Sequence, residues 1–177
     1  MMSHHHEIVD AEASHAGAIT SMTIAAFAQV FGTGGEEAAL IGALRAAGDV
    51  VVELVALERD ELVGHILFSR AIDEPFTGAI AALAPMCARI DRQRAGIGSL
   101  LVRKGLERCR AQGLRAVVVL GDTDYYGRFG FSADLAKDIE CAYAGPHFQA
   151  LELEPGALKS VKRVRYAPAF TALDSPA

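Results

Sequence analysis

The chain has 177 residues, of which 51% are hydrophobic, with a formal net charge of -5 at pH 7 and a pI of about 5.7. This length suits one domain with a sizeable core. The negative charge argues against a nucleic-acid partner, because binding to a phosphate backbone requires a basic face. Every apolar run is far shorter than the roughly 20 residues of a membrane span, and no export signal opens the chain. We therefore expect no membrane association and a cytoplasmic location.

Neither a disulfide framework nor a metal site is indicated by the residues that could form one. The three cysteines are spread singly, without Cys-x-x-Cys spacing, at Cys87, Cys109 and Cys141. Residues 1–6 include three adjacent histidines, which cannot all face one ion in a strand or a helix. We interpret residues 1–6 as a disordered tail or tag remnant and expect no bound metal.

The first half of the chain predicts a strand, two helices and a hairpin. Residues 7–11 suit a short strand, and apolar spacing predicts a helix over residues 14–30. A second helix is predicted over residues 36–47, with Gly48 as its stop. The two Val- and Leu-rich runs 50–57 and 62–71 then predict an antiparallel hairpin.

Two polar residues inside this hairpin are candidate general bases. Glu53 and His65 each lie within an apolar run, and burial of either side chain would move its pKa towards the working pH. The alternatives are an outward-facing glutamate and a hydrogen-bonded structural histidine. Strand alternation alone does not choose between them.

A strand, helix and strand follow in the order expected of a right-handed crossover. Residues 78–90 predict an apolar strand that contains Pro85. Proline has no backbone N–H to donate to a neighbouring strand, so Pro85 predicts an edge, a bulge or a point where the strand splays away from its neighbour. Residues 96–112 form an amphipathic helix that ends at Gly113, and residues 115–120 suit a buried parallel strand.

The last part of the chain is less regular. A short helix is predicted over residues 122–128, and short strands are predicted over residues 139–142, 148–153 and 161–166. Residues 167–177 are expected to form a C-terminal tail, which leaves residues 7–166 as the domain.

The most informative stretch is the turn that opens the helix at residue 96. Free N–H groups at a helix start bind anions, glycine lets a phosphate approach the backbone, and Arg92 and Arg94 add positive charge. Leu101 occupies the position of the third glycine of a dinucleotide fingerprint, and no Gly-Lys-Ser/Thr of a P-loop follows. The turn therefore predicts a phosphate site of a different kind.

The pattern Gln93-x-x-Gly96-x-Gly98 resembles the acetyl-CoA-binding motif of the GNAT superfamily of N-acetyltransferases, in particular its YhbS-like subgroup. Two flanking segments agree with this family in their order and spacing. Upstream lies the strand segment Leu-Ala-Pro-Met-Cys-Ala, and downstream lies the segment Tyr-Tyr-Gly-Arg-Phe-Gly-Phe. The resemblance implies one α/β (α+β) domain whose mixed, mostly antiparallel sheet is splayed between two central strands and flanked by helices.

The resemblance also implies a site for acetyl-CoA as cosubstrate. The residues of the loop that opens the helix at residue 96 would wrap the pyrophosphate of the cosubstrate. They are Gln93, Arg94, Ala95, Gly96, Ile97, Gly98 and Ser99. Free N–H groups of the preceding strand would hold the pantetheine arm and polarise the acetyl carbonyl, in the segment Met86, Cys87, Ala88 and Arg89. Tyr126 would lie near the coenzyme A sulfur and return a proton to the leaving thiolate. Cys87 as an acyl-enzyme nucleophile is the weaker interpretation, since no histidine is near it in sequence.

We therefore predict acetyl transfer to a primary amine by direct attack on the thioester. The acceptor is a small molecule or a peptide whose identity no motif reveals, and a homodimer is compatible with the sequence. The alternative is a non-catalytic module that senses coenzyme A or an acyl-CoA and lacks a working acid and base.

Overall fold

The computed structural model describes residues 5–174, except for the side chain of Asp174. The predicted N-terminal tail therefore lies outside the described residues at positions 1–4, and the predicted C-terminal tail does so at positions 175–177. Seven strands are described: β1 (Glu7–Asp10), β2 (Val50–Glu58), β3 (Glu61–Glu74), β4 (Ile80–Ala88), β5 (Ala116–Leu120), β6 (Phe148–Glu152) and β7 (Arg163–Arg165). The α-helices are α1 (Ala16–Phe31), α2 (Gly35–Ala47), α3 (Ile97–Ala111), α4 (Thr123–Gly127), α5 (Ala133–Ala136) and α6 (Thr171–Asp174).

The seven described strands form one mixed sheet in the order β1-β2-β3-β4-β5-β6, with β7 paired to β3. β4 and β5 are parallel, and the other pairs are antiparallel. The parallel pair is joined by α3, because a parallel connection needs a crossover that returns the chain to the same end of the sheet. The predicted architecture, one α/β (α+β) domain with a mixed and mostly antiparallel sheet flanked by helices, is confirmed.

The sheet opens between its two parallel strands. β4 pairs with β5 only from Ile80 to Leu83 and then continues to Ala88 without β5 beside it. The opening begins where the pairing of β4 with β3 shifts between Leu83 and Met86. Pro85 lies in this shift, where its missing N–H costs no ladder hydrogen bond.

Helices cover both faces of the sheet, because successive residues of a buried strand point to opposite sides. Leu54 and Ile66 pack with residues of α3 in one hydrophobic cluster. Their neighbours Val55 and Leu67 pack with residues of α1 and α2 in another. On the α3 side, a Cβ atom at Gly105 would collide with the ring of Phe68, so this glycine sets the distance between helix and sheet.

The C-terminal region differs from the sequence prediction. Residues 139–142 form no strand, and Glu140 makes only an isolated bridge to Arg163. Beyond residue 166, where a tail was expected, a 3-10 turn (Pro168–Phe170) leads into α6. Phe170 is buried and its ring lies 5.0 Å from that of Tyr166, so aromatic packing holds this segment on the domain.

Candidate functional site

The loop before α3 exposes backbone donors at the start of the helix. Gly96 caps the helix with a φ of 82°, a left-handed conformation that glycine adopts without strain. The N–H groups of Ile97, Gly98 and Ser99 belong to the first turn, where a helix offers no acceptor. A Cβ atom on Gly98 would lie 2.7 Å from the hydroxyl oxygen of Tyr125, so a larger residue there meets the tyrosine.

A cavity of about 540 Å³ joins this helix start to the end of β4 that has left β5. Of the cofactor-binding residues predicted from the sequence, the structure brings nine together around it: Met86, Cys87, Ala88, Gln93, Arg94, Gly96, Ile97, Gly98 and Ser99. The cavity is therefore lined on one side by helix donors and on the other by an unpaired stretch of strand.

Arg89, Ala95 and Tyr126 do not line this cavity. The backbone N–H of Arg89 donates to the carbonyl of Val63 at 2.9 Å. The sequence predicted a free donor here, and this prediction was wrong for Arg89. Ala95 lies on the other side of the loop, where it lines a neighbouring cavity.

Three residues outside the predicted cofactor set line the cavity as well. They are Arg92, Tyr125 and Arg128. The guanidinium of Arg128 lies 4.4 Å from the centroid of the Tyr125 ring, a cation–π contact that joins the two side chains. The signal in the sequence is that Tyr125 and Arg128 are three residues apart in the short helix predicted over residues 122–128, a spacing that places both side chains on one side.

Tyr126 is packed beneath Tyr125. The two rings meet edge to face at 5.0 Å, and the Tyr126 ring lies so close to Gly121 that a Cβ there would be 2.6 Å from it. Burial, and secondarily the neighbouring Tyr125, raises the pKa of the Tyr126 phenol above its ordinary value. Tyr126 is therefore held as a neutral phenol beside the end of β5.

The charges around the loop are partly paired. The Arg92 Nε atom lies 2.9 Å from Glu58, and Arg89 Nε lies 2.6 Å from Asp91. The hydrogen bond from Arg89 lowers the pKa of Asp91, which stays ionised. Arg94 forms no ion pair with any described residue, so its charge is available to an anion at the loop.

The thiol of Cys87 is poorly suited to nucleophilic catalysis. Its Sγ atom lies 3.8 Å from the hydroxyl oxygen of Thr23, and burial raises its pKa to about 11. A thiolate is the reactive form of cysteine, so an acyl-enzyme at this position is disfavoured. The structure does place His65 directly opposite Cys87 across β3 and β4, a neighbour that sequence distance concealed.

The two candidate bases, Glu53 and His65, are bonded to each other. His65 Nε2 lies 2.8 Å from Glu53 Oε1, and Arg45 Nε donates to Glu53 Oε2 at 3.0 Å. Burial alone would raise the pKa of Glu53, but the hydrogen bonds from His65 and Arg45 lower it to about 2. Glu53 is thus an inward-facing carboxylate rather than an exposed one, and neither residue lines the cofactor cavity.

The described residues contain neither a cluster of metal ligands nor a helix that could span a membrane. Between residues 5 and 174, no group of three or more His, Cys, Asp or Glu side chains is placed to hold a metal ion. Within that same range, no helix combines the length and the apolar character that crossing a membrane requires.

Comparison with known proteins shows that the chain belongs with acetyltransferases. The model of the acetyltransferase (GNAT) family matches residues 18–131. The chain is 31% identical over 128 residues to the uncharacterized N-acetyltransferase YhbS of Escherichia coli, a match that covers 71% of this chain and 77% of YhbS. A shorter match to N-acetyltransferase YjhQ of the same species is 39% identical and spans 45% of each chain.

Two solved structures resemble the whole domain. The crystal structure of Escherichia coli YhbS in complex with CoA has a TM-score of 0.87 and 27% identity, and the match covers 96% of this chain and 93% of that one. A GNAT family acetyltransferase from Brucella melitensis, solved with acetyl-CoA, has a TM-score of 0.80 and 34% identity, with 95% and 99% covered.

Proposed function

We propose a function from the premise that this chain belongs to the acetyltransferase (GNAT) family. In this proposal the protein transfers an acetyl group from acetyl-CoA to a primary amine by direct attack. The acceptor is a small molecule or a peptide. The observation that carries the proposal is the cavity that joins the donors at the start of α3 to the separated end of β4.

The loop supplies the binding site for the diphosphate of the cosubstrate. The N–H groups of Ile97, Gly98 and Ser99 and the helix dipole favour a negative charge at this point, and the unpaired Arg94 adds a cation. The similar proteins from Escherichia coli and Brucella melitensis were solved with CoA and acetyl-CoA, which supports assigning the same class of ligand here.

The separated strand supplies the site for the thioester arm. Beyond Leu83 the edge of β4 that faced β5 has no strand partner, so its polar groups are free to bind the pantetheine amides. Met86, Cys87 and Ala88 line the cavity along this edge. A backbone N–H near Ala88 would stabilise the oxyanion that forms when the amine attacks the carbonyl, as preorganised donors do in acyl transfer.

Tyr126 is our proposed donor of the proton to the leaving thiolate. Its ring lies against Gly121, the residue after the end of β5, close to where the pairing of β5 with β4 stops at Leu83. A tyrosine phenol is protonated at neutral pH even at its ordinary pKa, so a proton is available when the carbon–sulfur bond breaks. The amine nitrogen loses a proton in the same reaction, so no net proton is consumed.

The test is release of free CoA thiol from acetyl-CoA in the presence of spermidine, tyramine or a peptide with an N-terminal alanine. At least one amine should accelerate thiol release well above the rate without amine, with the N-acetyl product identified by mass spectrometry. Binding of acetyl-CoA is measured separately by thermal shift. Tight binding without acceleration by any amine would contradict the enzyme proposal and favour a non-catalytic acyl-CoA sensor.

A further inference from the structure

A buried charge network lies on the face of the sheet covered by α1 and α2. It runs from Arg45 of α2 to Glu53 of β2 and on to His65 of β3, through the hydrogen bonds given above. The His65 side chain is fully buried, whereas the Arg45 side chain is 31% exposed. The network therefore has one end in solvent and one end inside the protein.

The inner end lies next to the cofactor cavity. His65 and Cys87 are direct partners in the antiparallel pairing of β3 and β4, so their side chains are on the same face with Cβ atoms about 5 Å apart. Cys87 lines the cavity at the separated end of β4, where the thioester is proposed to lie. Thr23 of α1 reaches this point from above the sheet.

His65 has one ring nitrogen in use and one free. Nε2 is bonded to Glu53, while Nδ1 is buried and has no hydrogen-bond partner among the described residues. An unpaired buried nitrogen is costly, and a purely structural histidine would be expected to satisfy both. A carboxylate bonded to one nitrogen sets the tautomer that leaves the other able to accept a proton.

The outer end opens at a second cavity, of about 410 Å³. Arg45 and Glu53 line it together with the chain that leads into α1. The network thus connects the neighbourhood of the thioester with solvent on the far side of the sheet from α3.

We propose that His65 accepts the proton released by the attacking amine, and that Glu53, anchored by Arg45, orients His65 and balances its charge. This inference rests on the proposed acetyl transfer. As the N–C bond forms, the amine proton passes through one bridging hydroxyl or water to Nδ1, because the imidazole is too deeply buried to touch the acceptor. The imidazolium stays paired with the Glu53 carboxylate and returns its proton to solvent after the product leaves.

Glu53 has a positioning role rather than that of the base. Its pKa of about 2 keeps it ionised throughout the working range, so it is a poor proton acceptor. Two groups face His65. One is the Glu53 carboxylate on β2, which forms an ion pair with Arg45 of α2, and the other is the neutral Cys87 thiol on β4.

The experiment measures kcat and KM against pH for the wild type, His65→Gln and Glu53→Gln. The acceptor is whichever of spermidine, tyramine or the alanyl peptide the wild type acetylates fastest. We expect His65→Gln to lower kcat by about 10²-fold or more. It should also abolish the acid limb of the pH profile, which is the fall of kcat at low pH. The KM for acetyl-CoA should stay within about twofold of the wild-type value. Glu53→Gln should move that limb to lower pH, because a neutral amide no longer stabilises an imidazolium.

The matched control is Ser69→Ala, which removes another fully buried polar group from the same face of β3 and should leave the kinetics unchanged. A His65→Gln variant that keeps its kcat and acid limb would overturn the inference while leaving acetyl transfer intact. If His65→Gln does not fold, the Glu53→Gln variant tests the inference instead. An acid limb at the wild-type pH in that variant overturns the inference. A wild type that transfers acetyl to none of the amines contradicts the proposed function itself.

Discussion

The hydroxyl oxygen of Tyr125 lies 2.7 Å from the point that a Cβ atom would occupy on Gly98. Tyr125, on the short helix after β5, therefore lies close to the first turn of α3, and both residues line the same cavity. The glycine therefore serves two purposes. It leaves room for the Tyr125 hydroxyl, and it leaves room for the phosphate that we propose at the helix start.

Gly98→Ala should raise the Kd for acetyl-CoA by about tenfold or more, equivalent to about 1.4 kcal/mol, because the new methyl group displaces Tyr125 or blocks the phosphate. Adding Tyr125→Phe should restore part of the affinity if displacement of the hydroxyl is the cause. Gly42→Ala is the control, since its Cβ would meet nothing within 4 Å. Isothermal titration with acetyl-CoA is the measurement, and unchanged affinity in Gly98→Ala would refute the steric argument.

Two arginines of the same loop should differ in their contribution to binding. Arg94→Gln removes a cation that has no described acidic partner, so we expect a loss of about tenfold in acetyl-CoA affinity and a weaker dependence on salt. Arg89→Gln removes a cation already paired with Asp91 and Glu61 and placed outside the cavity, so its affinity should stay near that of the wild type. Equal losses in both variants would show that only the general positive field of the loop matters.

The adjacent tyrosines should separate into a chemical and a binding role. Tyr126→Phe is expected to lower kcat by about 10²–10⁴-fold with little change in acetyl-CoA affinity, because the proton donor is lost and the ring is kept. Tyr125→Phe should change the affinity more than kcat, since Tyr125 lines the cavity. The opposite result, with kcat lost only in Tyr125→Phe, would transfer the donor role to Tyr125.

Glu53 should make stability sensitive to acid. Its pKa is about 2 in the folded protein against an ordinary 4.5, so the stabilisation is fully present above about pH 4.5 and is lost as the pH falls towards 2. Urea unfolding should therefore show a stability difference between wild type and Glu53→Gln that shrinks over this range. Glu154→Gln, which breaks an exposed pair with Arg115, should show no comparable trend.

The spacing between α3 and the sheet should tolerate no side chain at Gly105. Its Cβ would collide with the buried ring of Phe68, so Gly105→Ala is expected to lower the free energy of unfolding by about 1–3 kcal/mol despite the higher helix propensity of alanine. Gly42→Ala in α2 again serves as the control, because alanine there gains the propensity without the collision. A Gly105→Ala variant as stable as the wild type would show that the Phe68 ring moves aside without loss of stability.

Local patterns predicted most of the elements and the position of the loop before α3. The loop could be read because its chemistry is contiguous: a strand end, basic residues, Gly96 and Gly98, and an amphipathic helix stand next to each other in the chain. The separation of β4 from β5 could be anticipated from Pro85, which removes a ladder donor at one known position. The C-terminal segment was missed, because Phe170 is held by aromatic neighbours rather than by a periodic pattern.

The sequence by itself determined the order of elements, the fold class and the glycine-bearing turn that opens α3, because each depends on residues close together in the chain. Only the tertiary structure decided that Tyr125 lines the cavity while Tyr126 packs beneath it, since adjacent residues on a helix diverge by about 100°. It also decided that Glu53 faces inward onto His65 and that His65 lies opposite Cys87. Those contacts depend on strand register and on helix packing, which bring together residues that are far apart in sequence.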